Sequence, residues 1–171
     1  MTLPSQSLQN EGRGQGLPVS GDRMIEHINK QRVRKLLEAH AAGDFDAVLA
    51  HCTDDLEHFA SAPIDIFPHL GRRHGKAEVR QMWEAGRSRY ADVRHEIKTM
   101  ICEGDQVAAD LRIFLRKRDN DRIVQYDLAA FYTLRDGRIS RIREIMDTFD
   151  LVQQVLECDL SRLLIAGTAR P

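Results

Sequence analysis

Asp136-Gly137 limits the folds open to this chain more than any other dipeptide in it. It separates two alternating apolar runs, and a two-residue type I′ hairpin loop needs positive φ at both positions, which Asp-Gly accepts at little cost. Two further turn signals, Glu103-Gly104-Asp105 and Arg118-Asp119-Asn120-Asp121, divide the segment from about residue 90 to 147 into four strand-rich runs. Successive antiparallel hairpins are expected there. In the second run Val107, Ala109, Leu111, Ile113 and Leu115 alternate with Ala108, Asp110, Arg112, Phe114 and Arg116, and the first row is assigned to the core.

The closing hairpin alternates less cleanly. Extending an Arg135–Arg138 pairing without interruption sets Glu144 opposite Ala129. That face then holds Thr133, Phe131 and Asp127 with Ser140, Ile142 and Met146. The other face holds Leu134, Tyr132, Ala130 and Leu128 with Ile139, Arg141, Arg143 and Ile145, so neither is purely apolar.

Upstream, Ile25, Ile28, Val33, Leu36, Leu37 and His40 form one stripe at helical spacing, with Asp22 as N-cap and Gly43 as the stop. Asp44 caps a second short helix presenting Phe45, Val48, Leu49 and Cys52, and a first strand covers roughly residues 55–61. Residues 62–75 contain Pro63, Pro68, Gly71 and Gly75 and no period, so they form a loop; Ile64, Ile66, Phe67 and Leu70 suit it to folding over something apolar. A third helix, from Lys76 to about Arg89, carries Val79, Met82 and Trp83 with Tyr90 on the same side, and a final helix runs from about Asp150 to Leu164. Residues 1–22 carry Gly12, Gly14, Gly16 and Gly21 among Ser, Gln and Pro and read as a flexible tail, leaving one domain over residues 23–166. Helices first and a meander after describe an α+β domain whose strongly bent antiparallel sheet wraps over the N-terminal helices and encloses a pocket.

The 171 residues suffice for one core. Lys and Arg number 25 against 26 Asp and Glu, a balance that supplies no general attraction to nucleic acid or anionic membrane. Charged residues at 30% interrupt the apolar ones too often for a membrane span. Cys52, Cys102 and Cys158 are odd in number and far apart, as reduced, mostly buried thiols are; with no signal segment at the start, a cytoplasmic location is expected. The seven histidines include no HxH, HxxxH or HExxH, and no glycine-rich phosphate loop or nucleophile elbow occurs, so neither metal nor cofactor is called for.

The opening that ends AAGDFDAVLAHCTDD, the segment GRRHGKAEVRQMW and the closing hairpin AFYTLRDGRISRIREIMDTFD together resemble the nuclear transport factor 2-like superfamily. The likeness is to its SnoaL-like branch, with polyketide cyclases, limonene epoxide hydrolase and, more distantly, ketosteroid isomerase, and it spans roughly Met24 to Leu156. It implies a cone-shaped, cystatin-like α+β barrel with a deep apolar cavity, usually in a homodimer, in a superfamily of both enzymes and non-catalytic binding proteins.

The resemblance also implies a pocket carboxylate seven residues after the hairpin glycine, which here is Glu144. A carboxylate in a desolvated cavity can serve as general base or acid. The Arg and Asp that complete the epoxide hydrolase site fall on Leu111 and Ile113, so that chemistry is not supported; a β-bulge shifting the strand by one residue would instead bring Asp110 and Arg112 inward beside Glu144. The first-strand base of ketosteroid isomerase falls near Ala60, against isomerase chemistry. Asp127 or Asp147 could supply another carboxylate, although Asp147 also suits a cap for the last helix. His58 is in phase with Leu56 and Ala60, and is either a hydrogen-bonding group in the cavity or a satisfied structural histidine.

Trp83, Tyr90, Leu111, Ile113, Tyr126, Leu128, Ile142 and Met146 are the expected ligand-binding wall, since core and pocket wall coincide in such a fold. The expected function is binding of a small, mostly apolar molecule in the cone. Glu144 and His58 are the candidates for acid–base catalysis of cyclisation, isomerisation, hydration or dehydration. The competing reading is a non-catalytic ligand-binding or dimerisation module.

Overall fold

The computed structural model describes residues 20–168, so most of the expected tail lies outside the described residues. The helices are α1 (Ser20–Ala42), α2 (Phe45–Ala50), α3 (Gly75–Arg89), α4 (Thr148–Leu156) and α5 (Leu160–Thr168). The strands are β1 (Cys52–Ser61), β2 (Arg72–His74), β3 (Tyr90–Glu103), β4 (Gln106–Lys117), β5 (Ile123–Arg135) and β6 (Arg138–Met146). They form one six-stranded sheet in the order β2-β1-β6-β5-β4-β3. All neighbours are antiparallel except β1 and β6, which run parallel, so the sheet is mixed rather than wholly antiparallel, and it is not closed. The cone-shaped α+β arrangement is as expected, with α1 packed on β3 and α3 on β1. No helix among the described residues is long and apolar enough to cross a membrane.

The turn chemistry behaves as read. Asp136 and Gly137 have φ of 51° and 72°, and a Cβ on Gly137 would lie 2.7 Å from the Arg32 guanidinium. Gly43, at φ 76°, ends α1, and Asp44 Oδ1 accepts from Ala47 N at 2.9 Å to cap α2. On β4 the buried row is Val107, Ala109, Leu111 and Ile113, which leaves Asp110 and Arg112 on the outer face, not beside Glu144. Arg112 instead pairs with Asp127 at 3.1 Å, as does Lys98 at 2.7 Å, so Asp127 is no pocket acid. Asp147 Oδ1 accepts from Asp150 N and is the cap of α4.

The bulge occurs on β6. Arg135 pairs with Arg138 and Leu134 with Ile139, but Thr133 pairs with Arg141, so Ser140 is the extra residue. Beyond it every partner shifts by one: Glu144 faces Ala130, not Ala129, and Ile142 and Met146 face Tyr132 and Leu128. The mixed faces thereby separate into an inner row of Ile139, Ile142, Glu144 and Met146 and an outer row of Arg141, Arg143 and Ile145.

Three other expectations change. The α1 stripe runs through Asn29, which is buried and donates through Nδ2 to the Gly104 carbonyl at 3.1 Å, while Ile25 and Ile28 stay exposed; the helix begins at Ser20, so Asp22 sits in its first turn rather than at the cap. The last helix is two, because Glu157 adopts φ 54° and its carboxylate takes Lys117 Nζ, Asn120 Nδ2 and Arg122 Nη1 at 2.6 to 2.7 Å. Only Cys52 of the three free thiols is fully buried.

Deleting Ser140 would return Ile142 and Met146 to the outer face. At about 1.5–3 kcal/mol per buried aliphatic side chain, a loss of roughly 3 kcal/mol or more is expected in urea denaturation, and an unchanged midpoint would refute the bulge as the source of the register.

Candidate functional site

The concave face of the sheet, the inner faces of α1 and α3 and the loop between β1 and β2 enclose a cavity of about 130 Å³. A smaller chamber of about 30 Å³ shares His40, Trp83, His95, Leu128 and Glu144 with it. The loop contributes Phe67, His69 and Leu70, and so does cover something apolar.

Each polar wall residue has a clear local origin. His58 lies on β1 in the buried row with Leu56 and Ala60, and Glu144 is turned inward by the Ser140 bulge. Because β1 and β6 run parallel with Ala60 paired to Glu144, the two side chains converge: His58 Nε2 lies 3.5 Å from Glu144 Oε2. This is ion-pair range, longer than an ordinary hydrogen bond. The His58 side chain is 1% exposed and Glu144 23%. His58 lines only the smaller chamber and Glu144 lines both, so Glu144 is the member of the pair within reach of a ligand.

Two more histidines close around them. His40, at the end of α1, lies 5.1 Å ring to ring from His95 on β3, and 5.5 Å from Trp83 in an edge-on arrangement. His95 Nδ1 lies 3.2 Å from the Leu37 carbonyl. A carbonyl only accepts, so Nδ1 carries the proton and Nε2 is the free acceptor. Trp83 also meets the His58 ring edge-on at 6.2 Å and stacks on Phe45 at 5.9 Å, so an aromatic frame holds the imidazoles.

Electrostatics separates the ionisable groups. Burial, reinforced by the neighbouring His95, drops His40 from 6.5 to about 3. Burial lowers His95 too, against the opposing pull of Glu144. For Glu144 burial alone would raise the carboxyl, but His58, then His40 and His95, reverse the sign and hold it below its usual range. Burial raises the Tyr126 and Tyr132 hydroxyls, with Glu144 adding to the effect. Four side-chain nitrogens of this site are buried without a partner among the described residues: His40 Nδ1, His58 Nδ1, His69 Nδ1 and Arg87 Nη1. No group of three or more metal-ligating side chains among the described residues is arranged to hold an ion.

Of the expected wall, Trp83, Tyr90, Ile113, Tyr126 and Leu128 line the larger cavity, and Leu111 and Ile142 the smaller. Met146 is buried but lines neither, a correction: its side chain packs into the core instead. His40, His95, Tyr132 and Arg87 are wall residues that sequence reasoning missed. His40 carried a faint signal, as the one imidazole in an otherwise apolar helical stripe; the other three carried none.

Ionisation of His40 couples folding to pH. With the folded value near 3 and the ordinary value 6.5, the unfolded chain binds the extra proton between them, so stability present above pH 6.5 is lost as pH falls toward 3. Between pH 7 and 4.5 native protein should lose on the order of 2 kcal/mol more than His40→Gln in urea titrations. Equal losses would show that His40 is not held neutral.

A family model for the SnoaL-like domain matches residues 33–142. The match takes in His40, His58, Trp83, Arg87 and His95 and stops short of Glu144. No curated protein matches the sequence. Among solved structures, a candidate isomerase from Rhodopseudomonas palustris is 28% identical with a TM-score of 0.68, over 78% of this chain and 99% of that one. An NTF2-like protein of unknown function from Burkholderia pseudomallei is 22% identical with a TM-score of 0.66, over 75% and 97%. An LEH-like epoxide hydrolase from M. tuberculosis is 21% identical with a TM-score of 0.64, over 82% and 98%. The latter two likenesses concern the fold alone.

Proposed function

Because this chain belongs to the SnoaL-like domain family, within the NTF2-like superfamily, we propose that its cavity binds a small, mostly apolar molecule and that Glu144 performs acid–base chemistry on it. The observation that carries this reading is an inward carboxylate that lines both chambers and is backed by a buried imidazole at 3.5 Å. Glu144 is held ionised at neutral pH, so its first act is to accept a proton from a carbon acidified by a neighbouring carbonyl. His58 stands behind it as a positioning residue, its Nε2 facing the carboxylate at 3.5 Å.

Cavity size narrows the ligand. A volume of about 130 Å³ is close to the roughly 150 Å³ of an engineered apolar cavity that admits benzene, so the space suits one ring rather than a fused polycycle. The resemblance sets Leu111 and Ile113 at the places where an epoxide hydrolase carries its Arg and Asp, and both are apolar residues of the buried β4 row, which favours proton transfer over epoxide opening.

The test is α-proton exchange of cyclohexenone in deuterated buffer, followed by NMR. Native protein should accelerate exchange, and Glu144→Gln should lower the rate by about 10² or more with its circular dichroism unchanged. His58→Gln should shift the acid limb of the rate profile to higher pH, since burial of Glu144 then meets less opposition. Exchange that is equal in native protein and Glu144→Gln would favour a holding protein over an enzyme.

A homodimer is supported by the outer face of the sheet. The strand register aligns Ile101, Ala108 and Phe131 across β3, β4 and β5, and Ile101 and Phe131 are 65% and 44% exposed. An exposed apolar row of this kind is surface that a second copy would remove from water. Light scattering should give a dimeric mass that falls to the monomer in Phe131→Glu, and a monomeric native protein at high concentration would remove the dimer.

A further inference from the structure

Resting on the cavity-binding reading above, we propose that the natural ligand is a single-ring carboxylate, with its carboxylate on Arg87 and its ring against Trp83. Arg87 lines the larger cavity but not the smaller chamber, whereas Glu144 lines both, so the cavity has a cationic pole and an anionic one. No carboxylate among the described residues pairs with Arg87, and its Nη1 is buried without a hydrogen-bond partner. A buried guanidinium nitrogen left in this state is costly unless something absent from the protein completes it.

The guanidinium lies close to the Gly43 backbone. A Cβ on Gly43 would lie 3.2 Å from Arg87 Nε and 3.4 Å from Nη2, so the side chain crosses the bare backbone of the turn that ends α1. Trp83 and Arg87 are four residues apart on α3 and share a face, which sets the ring platform beside the charge. His40 and His69 line the same cavity, and each has a buried Nδ1 without a partner among the described residues. A carboxylate offers two oxygens in a plane, the geometry that a guanidinium fork recognises. Glu144 repels such a group, so the ligand enters in one orientation, with a ring carbon rather than the carboxylate presented to Glu144.

Trp83 is the one tryptophan in the chain and lies in the cavity wall, so its fluorescence reports binding directly. The probes are benzoate and its uncharged near-isostere benzamide, titrated at neutral pH. Benzoate should bind native protein roughly tenfold or more tightly than benzamide. Arg87→Gln should weaken benzoate by about the same factor and leave benzamide within about threefold, which also shows that the cavity is intact. Arg87→Lys, which keeps the charge and loses the fork, should fall between the two.

Benzamide binding with no preference for benzoate, or a benzoate preference that survives Arg87→Gln, overturns the carboxylate subsite and leaves the cavity reading standing. Failure of both probes to perturb Trp83 in native protein overturns both. If Arg87→Gln loses both probes, Arg87→Lys decides: a retained preference for benzoate upholds the subsite, and its absence rejects it.

Discussion

Ser140 adds one residue to β6 that its neighbour β5 does not match, and the inner wall depends on that mismatch. A strand alternates with a period of two, so an inserted residue exchanges the two faces for everything beyond it. Ile139 before the bulge and Ile142 and Met146 after it all reach the core, an arrangement no uninterrupted strand can give these positions. The same exchange carries Glu144 inward. The apolar core and the acidic residue therefore share one cause: burying Ile142 and Met146 supplies the driving force that also carries a carboxylate into a low-polarity wall.

A buried carboxylate would destabilise the fold if it stood alone. The parallel pairing of β1 with β6 brings His58 to it, and α1 and β3 add His40 and His95 around it. The price is a set of imidazoles that are hard to protonate and several buried nitrogens without partners. Such groups are poor devices for stability, since an apolar residue in each place would pack without that penalty. Their concentration around one cavity is what a site completed by a ligand requires.

Aromatic packing gives the cavity its rigidity. Phe45, His40, Trp83 and His58 follow one another in ring contacts from α2 and α1 across α3 to β1, so the polar atoms are presented by rings that cannot easily turn away. On the other side the loop between β1 and β2 lays Phe67 and Leu70 over the opening, and Gly43 leaves room for Arg87 because it carries no side chain. Shape and charge in the cavity thus come from elements that are distant in sequence and hold one another in place.

Features governed by near neighbours were legible in the residues alone. Asp136-Gly137 turns as its φ preferences demand, Asp44 and Asp147 cap helices, and the β4 row from Val107 to Ile113 buries as its alternation requires. His58 was recognisable as a polar residue in phase with an apolar row, whereas Glu144 was recognisable through the resemblance to SnoaL-like proteins, which implied a pocket carboxylate seven residues after the hairpin glycine and pointed to the cone that holds both. What depended on distant partners was not legible. The Ser140 bulge follows from core burial on both of its sides, the parallel β1–β6 pair joins segments with no shared period, and Glu157 breaks the last helix because three donors from the β4–β5 turn and its flanks seize its carboxylate. His40 and His95 meet only because α1 packs on β3. Local sterics and capping act over a few residues and leave their mark in the chain; the register, the cavity and its charges arise from contacts that exist only after the chain has folded.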